Sequence, residues 1–371
     1  MQLKNKRILI LSPNYWGDMH ISKHHYAKEL SKRGNIVYFL NPPSIKGAFF
    51  KLTKEATNLY VINYKTFNRG GAVFPNLLIQ LLTYLQIKFI EFKIGKKIDI
   101  VWSFTTSIFY QLNWFKASFR IFHPVDQLNS AKAVEIGKNA DIIFTCSDYI
   151  LKELIEIKKP KRIIPHGVSP GFIDYPFSDW KEKDSIDVCY VGNLFFESLD
   201  RRELEGIIKK NKHCHFHFIG AINPVESNIS AWVTEESLGF VNTLINSKNV
   251  TCHGVITSDL VPEIIKSMDV FLVCYKSSSK NIISNSHKIL EYLSTGRVVV
   301  SSYIHHYKGS PYLSMLDDPN SSEYNKLFSS VISNLEYYNS ISNQRKRVQF
   351  AKLNSYESNV SKIEEIILKK D

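Results

Sequence analysis

Apolar positions along the chain fall into short unbroken runs, and between them lie stretches of helical period. RILILSP (7–13) is continuous enough for a strand buried on both faces. A turn-like NYWGDM follows, and HISKHHYAKELSKRG then carries its apolar residues at helical spacing until Gly34 stops it. NIVYFLNPP is the next strand, so the chain opens on the first crossover of a doubly wound parallel sheet. Further strands are predicted at 99–104, 119–122, 141–145 and 162–165. Residues 171–184 (GFIDYPFSDWKEKD) mix Pro, Gly, aromatics and charges without period, as a linker does. A second series starts beyond it, with strands predicted at 186–192, 215–220, 249–254, 269–275 and 297–302. The helical patterns DRRELEGIIKK, SDLVPEIIKSM and SHKILEYLSTG fall between them.

This predicts an α/β protein of two Rossmann-like, doubly wound domains: 1–170, a linker at 171–185, and 186–345. The last segment, 346–371, is expected to be helical and to pack back on the first domain. Residues 223–246 exceed a usual strand connection and read as an inserted helix pair or lid. The tail 322–370 reads as helical with a break near 339–343. There is no short-period repeat and no low-complexity segment.

Composition supports two cores, since 371 residues with 44% hydrophobic content exceed what one core accommodates. The five cysteines (Cys146, Cys189, Cys214, Cys252, Cys274) are scattered without a CxxC pair, which fits small buried hydrophobes in a reducing compartment better than disulfides or zinc. KNKR leads straight into the first strand, so no secretory signal is read and a cytoplasmic location is expected. The most apolar stretch, 72–92, is interrupted by Pro75, Asn76, Gln80, Gln86, Lys88 and Glu91, too often for a bilayer span. Its helical part, 74–94, with Lys88, Lys93, Lys96 and Lys97, suits either a membrane interface or a buried core helix. Residues 1–165 hold 25 of the 47 Lys and Arg but only 11 of the 35 Asp and Glu. A basic, aromatic-rich half suggests docking on an anionic membrane surface, at the inner face of a plasma membrane. Nucleic acid is the rival partner for the same charge, but no recognised nucleic-acid motif accompanies it.

Candidate chemistry concentrates in SNSHKILEYLSTGRVVVSS (284–302): a Ser/Asn cap, a helix, a terminal Gly and a buried strand. A helix N-terminus offers free backbone N–H groups and a positive dipole to a diphosphate, with Ser286 and His287 at that end and Lys288 adding charge. Glu291, three residues on, shares the Lys288 face, where a carboxylate can accept from both hydroxyls of a ribose. An exposed Lys/Glu helix pair is the plain alternative. Asp126, after the strand at 119–122, suits either a general base or a helix N-cap. His123 is the other candidate base, and His166, at the expected domain junction, suits phosphate or a turn. Trp16, Gly17 and Asp18 on the first strand-to-helix loop are candidate acceptor contacts. The cluster His20, His24, His25 tempts a metal reading, but without a carboxylate pattern it reads as a helix surface or acceptor cleft.

The pattern K-x-x-E-Y-L-x-x-G-x-x-V-V, from Lys288 to Val300, resembles the donor-binding segment of GT-B fold glycosyltransferases, group 1 enzymes among them. IPHGVS (164–169) is similar to their interdomain element, CYVGNLF (189–195) to the phosphate-facing turn opening their second domain, and DVFLVCY (269–275) to the strand before the donor helix. The resemblance covers nearly the whole chain and implies an interdomain cleft. Retaining members usually carry a further Glu eight residues before the ribose Glu, where this chain has Ile283, and the Arg and Lys that commonly follow the second-domain glycine are missing from NLFFESLD. Arg201 and Arg202, a few residues later, suit either a compensating role or a solvated helix face.

RIFHPVDQLN (120–129) is closer to the xanthan-type β-glucuronosyltransferase group, which is inverting. That resemblance implies Asp126 as base and a nucleotide pocket at Leu194, Ile256, Tyr275, Ser286, His287 and Lys288, with Glu291 where that group carries Gln; Gly192 and Asn193 are the donor-binding candidates of the phosphate-facing turn. The function implied is transfer of a sugar from a nucleotide diphosphate donor, UDP preferred, to a glycan or lipid-linked acceptor in cell-surface polysaccharide synthesis. Inversion is preferred, and neither a metal nor a cofactor is expected, the nucleotide-sugar being a substrate. A nucleotide-sugar epimerase of the same fold and a catalytically silent sugar-binding scaffold subunit are the alternatives.

Overall fold

The computed structural model describes residues 2–17, 20–44, 47–68, 74–106, 108–126, 128, 131–173, 180–226, 233–277 and 287–369. The chain divides into two compact units, one formed by Met1–His166 with Tyr356–Asp371, the other by Gly167–Ser355.

Unit 1 runs β1 (Arg7–Leu11), α1 (Ser22–Lys32), β2 (Ile36–Leu40), β3 (Phe50–Ala56), β4 (Leu59–Tyr64), α2 (Asn76–Ile94), β5 (Ile100–Ser103), β6 (Phe119–Phe122), α3 (Ala131–Lys138), β7 (Ile142–Thr145), α4 (Asp148–Glu153) and β8 (Lys161–Ile163). Its sheet has the order β3-β4-β2-β1-β5-β6-β7-β8, parallel except for the antiparallel β3–β4 pair. Alternation within β1 sends Ile8 and Ile10 into one core and Leu9 and Leu11 into the other, so both faces are covered.

Unit 2 runs α5 (Pro170–Ile173), β9 (Ile186–Val191), α6 (Arg201–Lys210), β10 (Cys214–Ile219), α7 (Glu235–Ile245), β11 (Val250–Gly254), α8 (Val261–Ile265), β12 (Val270–Val273), α9 (His287–Ser294), β13 (Val298–Ser301), β14 (Ser314–Met315), α10 (Tyr324–Ser333), α11 (Leu335–Tyr338) and α12 (Ile341–Leu353). The sheet is wholly parallel, ordered β11-β10-β9-β12-β13-β14. The final helix α13 (Tyr356–Leu368) returns to unit 1 and buries Val360, Ile363 and Ile367 in the core that also holds Tyr26 and Leu30 of α1. Arg33, just past α1, fastens it by donating to the Glu357 carbonyl at 2.8 Å and to Ser361 Oγ at 2.7 Å.

The strands predicted from apolar runs are present in both sheets, whereas β3 and β4 are additions. The expected helix pair within 223–246 is, among the described residues, a single helix α7 after a 3-10 turn at Pro224–Glu226. The division between units falls at His166/Gly167 and Ser355/Tyr356. Phe172, inside the stretch read as linker, is already buried in a unit 2 core. All five cysteines are free, and no described helix is long and apolar enough to cross a membrane.

Candidate functional site

The strand order of unit 2 reverses at β9, whose neighbours are β10 on one side and β12 on the other. In an open parallel sheet the crevice beyond the carboxyl ends of two such strands is the natural ligand position. Pairing of β9 with β12 runs only as far as Val188↔Val270 and Cys189↔Phe271. Beyond that point Val191 is served by a side chain: its N–H donates to the Tyr292 phenol oxygen at 2.8 Å, and the phenol donates to the Val191 carbonyl at 3.2 Å. Tyr292 is wholly buried and stacks on Phe271 with ring centroids 4.4 Å apart, so α9 is held in register with the end of β9.

That register carries Lys288, one turn earlier on α9, to the strand end. Its ammonium lies 5.1 Å from the Tyr190 ring centroid and 5.8 Å from that of Tyr275, within cation–π range of both. A Cβ on Gly192 would stand 2.7 Å from Lys288 Nζ and 2.9 Å from the Tyr190 oxygen. A side chain there would push the ammonium away from the backbone, and the φ of +154° at this position is one that other residues rarely adopt. Gly220, at the end of β10, is required more strictly, because its Cβ would meet the Gly192 carbonyl oxygen, a backbone atom, at 2.0 Å. Burial opposes the charge on Lys288, but the Tyr190 and Tyr275 oxygens and Glu291 outweigh it and raise its pKa, so it is a cation at neutral pH. Tyr190 is pushed up to about 12 by burial, against the pull of Lys288.

Glu291 is half-buried, with His287 Nε2 3.9 Å from its carboxylate. Burial raises its pKa, and His287 and Lys288 hold it down. The Tyr275 N–H donates to Ser302 Oγ at 3.0 Å, which fixes the end of β12. Asn193 Oδ1 accepts from the Phe195 N–H at 3.0 Å and shapes the turn after Gly192, while Ile256 packs at the edge of the core that contains α9. Leu194 has its side chain wholly buried in the other core of unit 2, so only its backbone is left for a ligand. Arg201, for which a solvated face was one reading, is buried and donates to the carbonyls of Leu194 (3.3 Å) and Phe196 (3.0 Å). It braces the turn; Arg202 is exposed.

In unit 1 the carboxyl ends of β1 and β6 carry the remaining candidates. Asp126 is exposed and lies well ahead of the first residue of α3, so it is not that helix's N-cap. Its charge acts on Lys23, a buried residue in the first turn of α1 whose pKa burial lowers and Asp126 partly restores. The sequence offered no sign of Lys23 beyond its helical period. His123 requires correction: it has no exposed surface, and neither ring nitrogen has a hydrogen-bond partner among the described residues. Its ring sits among Tyr26, Trp102, Phe104 and Phe144, and burial pushes its pKa down to about 3. An acceptor hydroxyl has no route to such a group in this conformation.

His166 belongs to unit 1, where Nδ1 is 2.7 Å from Ser22 Oγ. The Trp16 N–H donates to Asn41 Oδ1 at 2.7 Å, and its ring packs on Phe39, His20 and His24; a Cβ on Gly17 would meet nothing within 4 Å. His24 Nδ1 accepts from the Ile21 N–H at 3.1 Å, so Nε2 carries the proton and donates to the Tyr15 carbonyl at 3.1 Å. Burial holds His24 neutral, with its pKa pushed down to about 4. Among the described residues no three His, Cys, Asp or Glu side chains form a group able to hold a metal. Asp18, Ile283 and Ser286 lie outside the described residues.

Solved structures share this two-unit fold over nearly the whole chain. Sucrose-phosphate synthase from Thermosynechococcus elongatus superposes with a TM-score of 0.71 at 15% identity, covering 98% of each chain. Anabaena HepE in complex with UDP gives 0.68 at 12% identity, over 98% of this chain and 99% of that one. A trehalose-6-phosphate synthase structure concerned with glycosyl transfer with retention gives 0.69 at 11% identity, again over 98% and 99%. At these identities the likeness shows the fold, which is the GT-B type of two parallel-sheet Rossmann-like units. No protein-family model matches the chain, and no curated protein does.

Two substitutions test the construction. Tyr292→Phe leaves both Val191 backbone groups unpaired and lowers the unfolding free energy of unit 2 by about 1–3 kcal/mol; an unchanged urea midpoint would show that the phenol does not tie α9 to β9. His123→Phe, which replaces two unpartnered nitrogens with carbon in a slightly larger ring, raises unit 1 stability by at most about 1 kcal/mol. It also flattens the acid limb of stability. With folded pKa values near 4 for His24 and 3 for His123, below the unfolded value of about 6.5, the unfolded chain binds protons that the folded chain refuses. Stability contributed by these rings is full above about pH 6.5 and declines as pH falls toward 4, which thermal unfolding against pH reads directly.

Proposed function

We propose that this chain is a glycosyltransferase that moves a sugar from a nucleoside diphosphate donor, UDP preferred, to a glycan or lipid-linked acceptor in cell-surface polysaccharide synthesis. The observation that carries the proposal is the Lys288 ammonium, held against Gly192 at the β9/β12 reversal with Glu291 one turn away. A fixed cation in the first turn of a helix suits a pyrophosphate whose charge grows as the glycosidic bond breaks, and a carboxylate one turn on suits ribose hydroxyls. Support for uridine comes from the UDP in the Anabaena HepE structure and from the motif likeness to the xanthan-type β-glucuronosyltransferase group.

In the inverting form of the reaction the acceptor hydroxyl attacks the anomeric carbon from the face opposite the diphosphate. Asp126 takes the hydroxyl proton, the bond to the β-phosphate oxygen breaks, and the nucleoside diphosphate leaves with its electron pair, neutralised by Lys288 and backbone N–H groups. The exposed position of Asp126 suits a group that must meet an incoming acceptor. No metal is required in this scheme. The basic first half of the sequence is consistent with work at an anionic membrane face inside the cell.

Asp126→Asn is expected to reduce turnover by ~10²–10⁴ while leaving UDP affinity unchanged, and Lys288→Ala to weaken UDP binding about tenfold or more in calorimetry. NMR of the product anomer completes the test: inversion is required if Asp126 is the base, and a retained anomer with an active Asp126→Asn enzyme would remove that role.

A further inference from the structure

Helix α2 buries one face and leaves a second apolar face to solvent. The residues it buries are Thr83, Gln86, Ile87, Ile90 and Ile94. Two of these are fixed by hydrogen bonds from the preceding loop: the Phe67 N–H donates to Gln86 Oε1 at 2.8 Å, and Asn68 Nδ2 donates to Thr83 Oγ1 at 3.0 Å. Those bonds, with the packing of Ile87, Ile90 and Ile94 in the core, set the rotation of the helix, and the opposite face then presents Leu77, Leu81, Tyr84, Leu85 and Phe92 to solvent. Leu77 and Phe92 are 79% and 77% exposed, and Leu81 is 53% exposed. An apolar stripe several turns long on the solvent side of a helix that also buries Ile87, Ile90 and Ile94 is unlike an ordinary surface helix, and it marks a face that meets something apolar.

The charges around the stripe select the partner. Lys88 lies within it, its ammonium 5.2 Å from the Tyr84 ring centroid, and Lys93, Lys96 and Lys97 are exposed at its carboxyl end. The one acidic residue of α2, Glu91, is occupied by Lys88 Nζ at 2.8 Å and by the Lys116 N–H at 2.6 Å. The aromatic cluster Phe49, Phe67 and Phe89 joins the base of α2 to β3, whose Lys51 and Lys54 are also exposed. Leucine and aromatic side chains at the centre with lysines at the margin fit a bilayer interface, where apolar groups enter the acyl boundary and ammonium groups reach lipid phosphates. A helix that cannot span the membrane lies along it.

We propose that the outward face of α2 is the surface by which this protein docks on an anionic lipid bilayer; this rests on the proposed work at a membrane face and names the element responsible. Flotation of the full chain with vesicles of phosphatidylcholine alone, or with phosphatidylglycerol added, tests it against the variant Leu77→Ser/Leu81→Ser/Phe92→Ser. All three positions are exposed, and an unchanged circular dichroism spectrum and UDP affinity show that the variant is folded. The expected result is binding of the parent to the anionic vesicles, a partition coefficient roughly tenfold or more lower for the variant, and weakening of the parent's binding by salt. Equal binding by parent and variant overturns the assignment to α2 and leaves the membrane reading standing. No binding by the parent removes both, without touching glycosyl transfer. A parent that light scattering shows to be a dimer, and a variant that is a monomer, would give the face to a second copy instead.

Discussion

The unit 2 crevice exists because two parallel strands part, and parting strands leave backbone groups that must still be paired. Where β12 no longer reaches β9, the Tyr292 phenol takes both the N–H and the carbonyl of Val191. One hydroxyl thus does for this position what the neighbouring strand does for Val188 and Cys189. The same bonds fix α9 in height and rotation, and that rotation carries Lys288 to Gly192. The glycines follow from it: the ammonium occupies the space a Gly192 side chain would need, and the Gly192 carbonyl, whose position β9 sets, occupies the space of a Gly220 side chain. Opening, cation and glycine pair are consequences of one sheet geometry.

Much of the fold was legible because its strands are buried on both faces. An unbroken run such as RILIL or VFLV has few readings other than a central parallel strand, and regular alternation with helical segments gives the doubly wound order. β3 lacked that signal. FKLTKEA is almost entirely exposed, so nothing in its pattern reports burial, and it is held by its antiparallel register with β4 at the sheet edge. The orientation of α2 was hidden for a related reason. Its leucines and isoleucines are all strongly apolar and lie on both faces, so the sequence pattern does not say which set faces the protein; the tertiary packing of Ile87, Ile90 and Ile94 and the hydrogen bonds to Thr83 and Gln86 do.

The site was legible where its chemistry is local. Lys288 and Glu291 are one turn apart, so their common face can be read from spacing, and the glycine ending a strand run announces a close approach. Residues acting across the fold gave no such sign. Arg201 reads as part of a basic helix face, yet it reaches back to the 194–196 turn and is buried. Lys23 and His24 sit in an ordinary helical period and become distinctive only because tertiary burial takes water from both. The opposite failure befell His123 and Leu194. Each stands close in sequence to a promising residue, yet each side chain is turned wholly into a core, an orientation that sequence proximity does not report.

The chain's connectivity adds a constraint that strand patterns do not express. Unit 2 is one continuous segment whose two ends lie side by side, the Val168 N–H donating to the Asn354 carbonyl at 2.9 Å and Val168 bridging to Ser355. Adjacent ends are the geometry that lets a domain be inserted into another without disturbing either core. Unit 1 has no such independence, because its core is completed by α13, with the Leu3 N–H donating to Glu364 Oε1 at 2.8 Å and Asn359 Nδ2 to the Pro165 carbonyl at 2.8 Å. Contacts of that sequence separation form late, since loop-closure entropy must be met before they contribute. Unit 2 can therefore assemble from one continuous stretch of chain, whereas the α1 face of unit 1, which carries Lys23 and His24 beside the Asp126 loop, is finished only when the last helix arrives.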